Sequence, residues 1–186
     1  MKILTGKCIC VFLLLAALAF CPGCALTETG ERYHSAIQTF RQGQTYFSIM
    51  HLNSIIREDP QSRYAPSAMF ALGEYYFDHE DYFNSIMTLS RYVRSYPKDK
   101  GVVFAKLIIY KIINEIKKED EVGEQEAALI KEIRKELFSQ PLFLIFYDRK
   151  FPRWYKSIFD HSYLVYDYVD KIKVFRDEKI FLALSP

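Results

Sequence analysis

The sequence predicts an all-α fold: antiparallel helical hairpins stacked as a short solenoid, with a C-terminal cap whose form the sequence leaves open. Three observations point there. Ala36, Gly43, Ser48, Leu52, Ile55 and Pro60 are answered by Gly73, Glu80, Ser85, Leu89, Tyr92 and Pro97, each 37 positions later. A repeat of that period is the signature of a supersecondary unit that buries its apolar face only by stacking on its neighbour. Within each copy two small residues, Ala36 and Ser48 or Gly73 and Ser85, fall where two antiparallel helices cross, so the backbones can approach closely. Finally, Pro60 and Pro97 close each copy: proline has no N–H to give and bars the preceding residue from helix.

The N-terminus is read separately from the fold. Lys2 and Lys7 precede an apolar run from Cys8 to Phe20. That run is too short to span a bilayer and suits the middle of a signal peptide. Cys21-Pro22-Gly23-Cys24 follows and resembles a lipobox, with Gly23 as the small residue before the lipidated cysteine and Cys21 where leucine is usual. Residues 1–23 are therefore expected to be a lipoprotein signal peptide. Cys24 is expected to carry the acyl chains (palmitate among them), and 24–32 to be a linker. A plain secretory signal cleaved nearby is the alternative. Stable anchoring takes more than one acyl chain. Ala25, in place of an aspartate, resembles the address of an outer-membrane lipoprotein facing the periplasm.

All four cysteines lie in this segment, so the expected mature domain has no disulfide and no cysteine metal site. Beyond residue 23 the basic and acidic residues balance at 23 each, which argues against a nucleic-acid footprint.

The repeats are expected over 33–140 as about three hairpins. The second copy is the clearest. Leu72, Gly73, Tyr76, Tyr82, Ser85, Leu89, Tyr92 and Pro97 fall in the slots of the tetratricopeptide repeat (TPR), which the chain resembles. Pro66 suits the first turn of one helix and Asp81 the N-cap of the next. Val102–Lys118 reads as a third first-helix, Lys117–Glu126 as a charged turn and Glu124–Phe138 as its partner, ended before Pro141.

Residues 141–186 form an aromatic capping segment. Tyr155, Ile158, Phe159, Ser162, Tyr163, Tyr166, Val169 and Ile172 fit one helix face, so a capping helix is expected. Lys171–Phe175 and Ile180–Leu184, separated by Arg176–Lys179, read alternatively as a β-hairpin, and a third reading has the aromatic tail docked on a partner or the bilayer surface.

A narrower resemblance covers Tyr33 to Lys118. Asp59-Pro60-Gln61-Ser62-Arg63-Tyr64-Ala65-Pro66, then Ala68–Phe77, then Ser90-Arg91-Tyr92-Val93-Arg94-Ser95-Tyr96-Pro97, resemble the BamD (YfiO/ComL) group of outer-membrane assembly lipoproteins. Periplasmic cell-division coordinators carry similar repeats. The resemblance implies a scaffold that binds protein partners, the barrel assembly complex among them, at the outer membrane. Members have five repeats; this chain has room for three hairpins and a tail.

No catalytic constellation is legible: there is no Gly-x-Ser-x-Gly elbow, phosphate-cradling loop or His-Glu-x-x-His. The chain is expected to be no enzyme, with no cofactor, metal or small-molecule substrate. His34, His51, His79 and His161 are scattered and read as ordinary histidines, and Asp78-His79-Glu80-Asp81 reads as a solvated capping turn. In the TPR register the concave face would present Tyr33, Ile37, Phe40 and Arg41, then Phe70, Glu74, Phe77 and Asp78, then Leu107, Lys111, Asn114 and Glu115. The first eight are the candidate partner groove, since aromatics beside charges suit an extended or helical peptide. Each reads equally well as core.

Overall fold

The computed structural model describes residues 28–116, 123–148 and 150–186. Cys24, the signal-like segment and most of the charged turn after Lys117 lie outside the described residues. Helix α1 (Glu28–Arg41) starts within the expected linker and pairs with α2 (Thr45–Glu58). Helices α3 (Ala65–Asp78) and α4 (Tyr82–Ser95) form the second antiparallel pair. Helix α5 (Val102–Lys111) runs on through a π-helical turn, Ile112–Ile116; α6 (Glu124–Leu137) and the short α7 (Leu142–Tyr147) follow. Among the described residues no helix is long and apolar enough to cross a membrane.

The 37-residue register recurs atom for atom. Ser48 Oγ donates to the Ala36 carbonyl at 2.8 Å, and Ser85 Oγ donates to the Gly73 carbonyl at 2.9 Å. Both serines are buried, so these bonds satisfy hydroxyls that would otherwise lose water without return. The turns repeat as well: Gly43 (φ 75°) and Glu80 (φ 59°) take the left-handed conformation that reverses the chain. A Cβ on Gly73 would stand 2.3 Å from Leu89 Cδ2, so glycine is what lets α3 and α4 close. Asp81 caps α4 by accepting the Asn84 N–H at 3.3 Å, whereas Gln44, its counterpart, gives α2 no side-chain cap.

The third pair departs from this pattern for a reason visible in the register. Counting 37 from Gly73 and Ser85 gives Tyr110 and Val122, so both small residues are gone. Helix α6 is held instead through Tyr110 against Phe138 (5.8 Å between ring centres) and an Arg94–Glu136 ion pair at 2.6 Å.

The all-α expectation is corrected at the C-terminus. In place of a capping helix over Tyr155–Ile172 there is a four-stranded antiparallel meander: β1 (Trp154–Lys156), β2 (Ser162–Asp167), β3 (Ile172–Arg176) and β4 (Lys179–Leu184), in that spatial order. The alternative hairpin reading of Lys171–Phe175 and Ile180–Leu184 corresponds to β3 and β4, which pair Arg176 with Lys179. The physical reason is alternation. Tyr163 and Val165, then Ile172 and Val174, are buried on one side while Leu164 and Lys173 between them face outward. That period of two, in β-branched and aromatic residues, makes a sheet one face of which is core. Asp160, Asp177 and Glu178 take positive φ at the hairpin ends; the two consecutive values at 177–178 belong to a tight two-residue turn. Helices and sheet share one apolar core, from Ala36 and Leu52 through Phe70, Phe104 and Ile133 to Tyr163, Val174 and Leu184.

Candidate functional site

The inner helices α1, α3 and α5 present one face, and the eight groove candidates lie on or beside it. The sheet fills that face. Phe40 stacks on Phe159, with ring centres 4.2 Å apart. Phe70 meets Tyr155 at 4.8 Å and Tyr163 at 6.2 Å, and Phe104 stacks on Tyr155 at 5.3 Å. Phe77 packs edge-on to Phe181 at 5.8 Å, and Lys111 Nζ donates to the Phe181 carbonyl at 2.9 Å. Phe70 and Glu74 are fully buried. The chain's own C-terminal segment thus covers Phe40, Phe70, Glu74 and Phe77. Tyr33 stacks on Tyr64 at 4.6 Å, Ile37 is half-buried and Arg41 is exposed. Leu107 is core, Asn114 Nδ2 donates to the Tyr110 carbonyl at 2.8 Å, and the Glu115 side chain lies outside the described residues.

A polar cluster fastens the sheet to α3. Tyr163 Oη donates to Glu74 Oε1 at 2.6 Å, with both side chains sealed from solvent. Burial pushes the Glu74 carboxyl up to about 7, against the opposing pull of the Ser157 and Tyr163 hydroxyls and the Arg176 and His161 charges. Glu74 Oε2 accepts no hydrogen bond; the Ser157 hydroxyl lies beside the carboxyl without meeting bonding geometry. Burial likewise raises the Tyr163 phenol well above its ordinary value.

One helical turn on, Arg176 grips Asp78 with two nitrogens, Nη1 to Oδ1 at 2.6 Å and Nη2 to Oδ2 at 2.8 Å. Its guanidinium also lies over the rings of Phe77 (5.5 Å) and Tyr163 (5.8 Å). His161 stands between two carboxylates, Nε2 3.0 Å from Asp78 and Nδ1 2.7 Å from Asp177. Burial works against its charge, but the two carboxylates prevail and raise its pKa; in the protonated form both ring nitrogens donate, one to each carboxylate. Burial also disfavours the Asp78 anion, yet His161 and Arg176 outweigh it and hold the carboxyl at about 2. Asp177 in turn accepts the Ser162 N–H at 2.8 Å, which ties the β3–β4 turn to the start of β2.

These contacts make a clamp. Two acids of α3, one helical turn apart, are answered by a tyrosine and an arginine from the sheet and a histidine from the loop just before β2. The TPR register puts Glu74 and Asp78 on the inner face, but nothing in the sequence signals their partners. Tyr163, Arg176 and His161 lie 83 to 98 positions away from the acid each meets or further along the same tail, and neither spacing nor motif links them. The alternation of β2 and β3 was the one available clue.

Outside the clamp, α2 carries an outward ridge. Tyr46, Phe47 and Met50 are each more than half exposed, beside a shallow cleft of about 380 Å³ lined by Phe47, Met50, His51, Asn53, Ser54 and Arg57. Among the described residues no group of three or more histidine, cysteine and acidic side chains is arranged to hold a metal. No family model, curated protein or solved structure matches the chain.

Proposed function

We propose that the chain is an outer-membrane lipoprotein, anchored through Cys24 on the periplasmic face, whose TPR-like helical array is a protein–protein scaffold in barrel assembly like the BamD group. One observation carries this reading. Two hairpins share a 37-residue register, down to the same serine-to-carbonyl bond, immediately downstream of a lipobox-like segment. Solenoid repeats of this kind work through their surfaces. The inner face holds the sheet, so the partner engages outward surfaces, and the α2 ridge of Tyr46, Phe47 and Met50 is the one we assign to it. The scaffold acts without catalysis, cofactor or small-molecule substrate.

Pull-down of the full-length protein from detergent-solubilised membranes tests the reading. A large β-barrel membrane protein should be recovered, and Phe47→Glu with Met50→Glu should abolish its recovery. Recovery of soluble periplasmic proteins alone overturns it. The short array, two complete hairpins and a divergent third pair of helices where the BamD group has five repeats, favours a second reading: a different envelope adaptor, in division or pilus assembly. Division proteins or secretin multimers in the same pull-down would select it.

A further inference from the structure

We infer that one end of the helical array rests on an anionic lipid surface. The inference builds on the lipid-anchor reading above. Helix α1 begins at Glu28, four residues after Cys24. However those residues are arranged, four peptide steps reach no further than about 14 Å. The surface around Glu28 is thus the part of the domain that the anchor holds against the bilayer.

Contacts define that end. Thr29 Oγ1 donates to Asp59 at 2.8 Å, Tyr33 stacks on Tyr64, and Tyr96 Oη donates to the Pro60 carbonyl at 2.8 Å. The start of α1, the 59–64 loop and the 96–101 loop therefore lie together. The edge strand β1 joins them, because Tyr155 crowds Gly101, where a Cβ would come within 3.0 Å of its ring. Trp154, its neighbour on the outward face, is 57 % exposed.

The chemistry of this end matches a headgroup layer. Arg63, Lys98 and Lys100 are exposed and, among the described residues, none forms an ion pair with a carboxylate. Arg63 lies over the Tyr64 ring at 4.7 Å. Nearby acids are already engaged. Glu28 and Glu58 face Arg32, Asp59 accepts Thr29, and Asp99 accepts the Gly101 N–H at 2.9 Å and the Tyr92 hydroxyl. Glu31 is the exposed acid that remains there. Half-buried Tyr64 and Tyr96, with Trp154, supply the amphipathic rings that settle at a bilayer interface, and juxtamembrane cations favour anionic lipid.

Trp154 is the chain's one tryptophan and so a native reporter. Full-length protein is purified from membranes and reconstituted into phosphatidylethanolamine vesicles containing phosphatidylglycerol, and separately into phosphatidylcholine vesicles. In the anionic vesicles Trp154 emission should shift to the blue and be quenched by brominated lipid. The Arg63→Glu, Lys98→Glu, Lys100→Glu variant should lose both effects while keeping the wild-type circular dichroism spectrum. Acylated, vesicle-bound protein whose Trp154 stays unquenched, or is quenched equally in phosphatidylcholine, overturns the docking and leaves the anchor standing. An unacylated Cys24 by mass overturns the anchor and the docking with it.

Discussion

Gly73 shows how much rests on a missing methyl group. A Cβ there would meet Leu89 at 2.3 Å, well inside contact distance, so α3 and α4 would have to part. Gly73→Ala should destabilise the protein by about 1–3 kcal/mol, the usual effect of overpacking a core. Chemical denaturation checks this, and pairing the change with Leu89→Ala should give less than the sum of the two, since the second removes the clash. Glu74 makes a different prediction. Its folded pKa of about 7 lies above its ordinary 4.5, so the folded state holds this proton longer than the unfolded chain does. The stability it lends is complete below about 4.5 and drains away as pH rises through 7. His161, raised above 6.5, has the same sign: its ion pairs are intact below 6.5 and fade as it loses its proton above. Asp78, lowered to about 2 from 3.8, acts oppositely and fails only as pH falls below 3.8. Unfolding midpoints measured from pH 5 to 9 should therefore decline, and Glu74→Gln should flatten the decline by removing its largest buried acid. An unchanged slope in that variant would show that Glu74 titrates normally.

At the scale of elements, the two complete hairpins differ where their sequences differ. Asp81 caps α4 and Gln44 leaves α2 uncapped, so Asp81→Ala should lower stability by about 1 kcal/mol. Gln44→Asp should raise it by roughly half as much or more, read as a shift in melting temperature. The hairpins were legible in the sequence because their determinants are local: Ser48 reaches a carbonyl twelve residues back, and Pro60 and Pro97 act on their own helices. The sheet was less legible because Tyr155, Ile158, Phe159, Tyr163 and Tyr166 satisfy a helical period, while the period of two is carried only by short runs such as Tyr163 with Val165 and Ile172 with Val174. What decides between them is the waiting surface of Phe40, Phe70 and Phe104, which lies far away along the chain. Phe70, which the sequence suits equally to groove or core, becomes core once that sheet arrives.

For the whole molecule, one shared apolar core means that helices and sheet should unfold together. Far-ultraviolet circular dichroism and Trp154 fluorescence should trace coincident transitions. A chain stopped before Trp154 would leave the rings of Phe40, Phe70, Phe77 and Phe104 uncovered, and should bind the dye ANS strongly and aggregate. A stable, dye-free truncation would mean that the sheet is an accessory. The clamp residues could not be foreseen at this scale either. Arg176 and Asp78 stand 98 positions apart and meet only after the tail has folded back along the array.

The substitution of Tyr110 for a small residue, noted in the third pair, reaches beyond that pair. A solenoid extends whenever its last hairpin offers the next one a seat like its own. Here that seat is denied, and the meander lies along the inner face of the helices rather than adding a unit to their row. The repeat pattern is thus interrupted at its third pair. The molecule should remain a discrete particle at high concentration rather than grow into filaments by end-to-end stacking, a fate that open repeat arrays must otherwise resist.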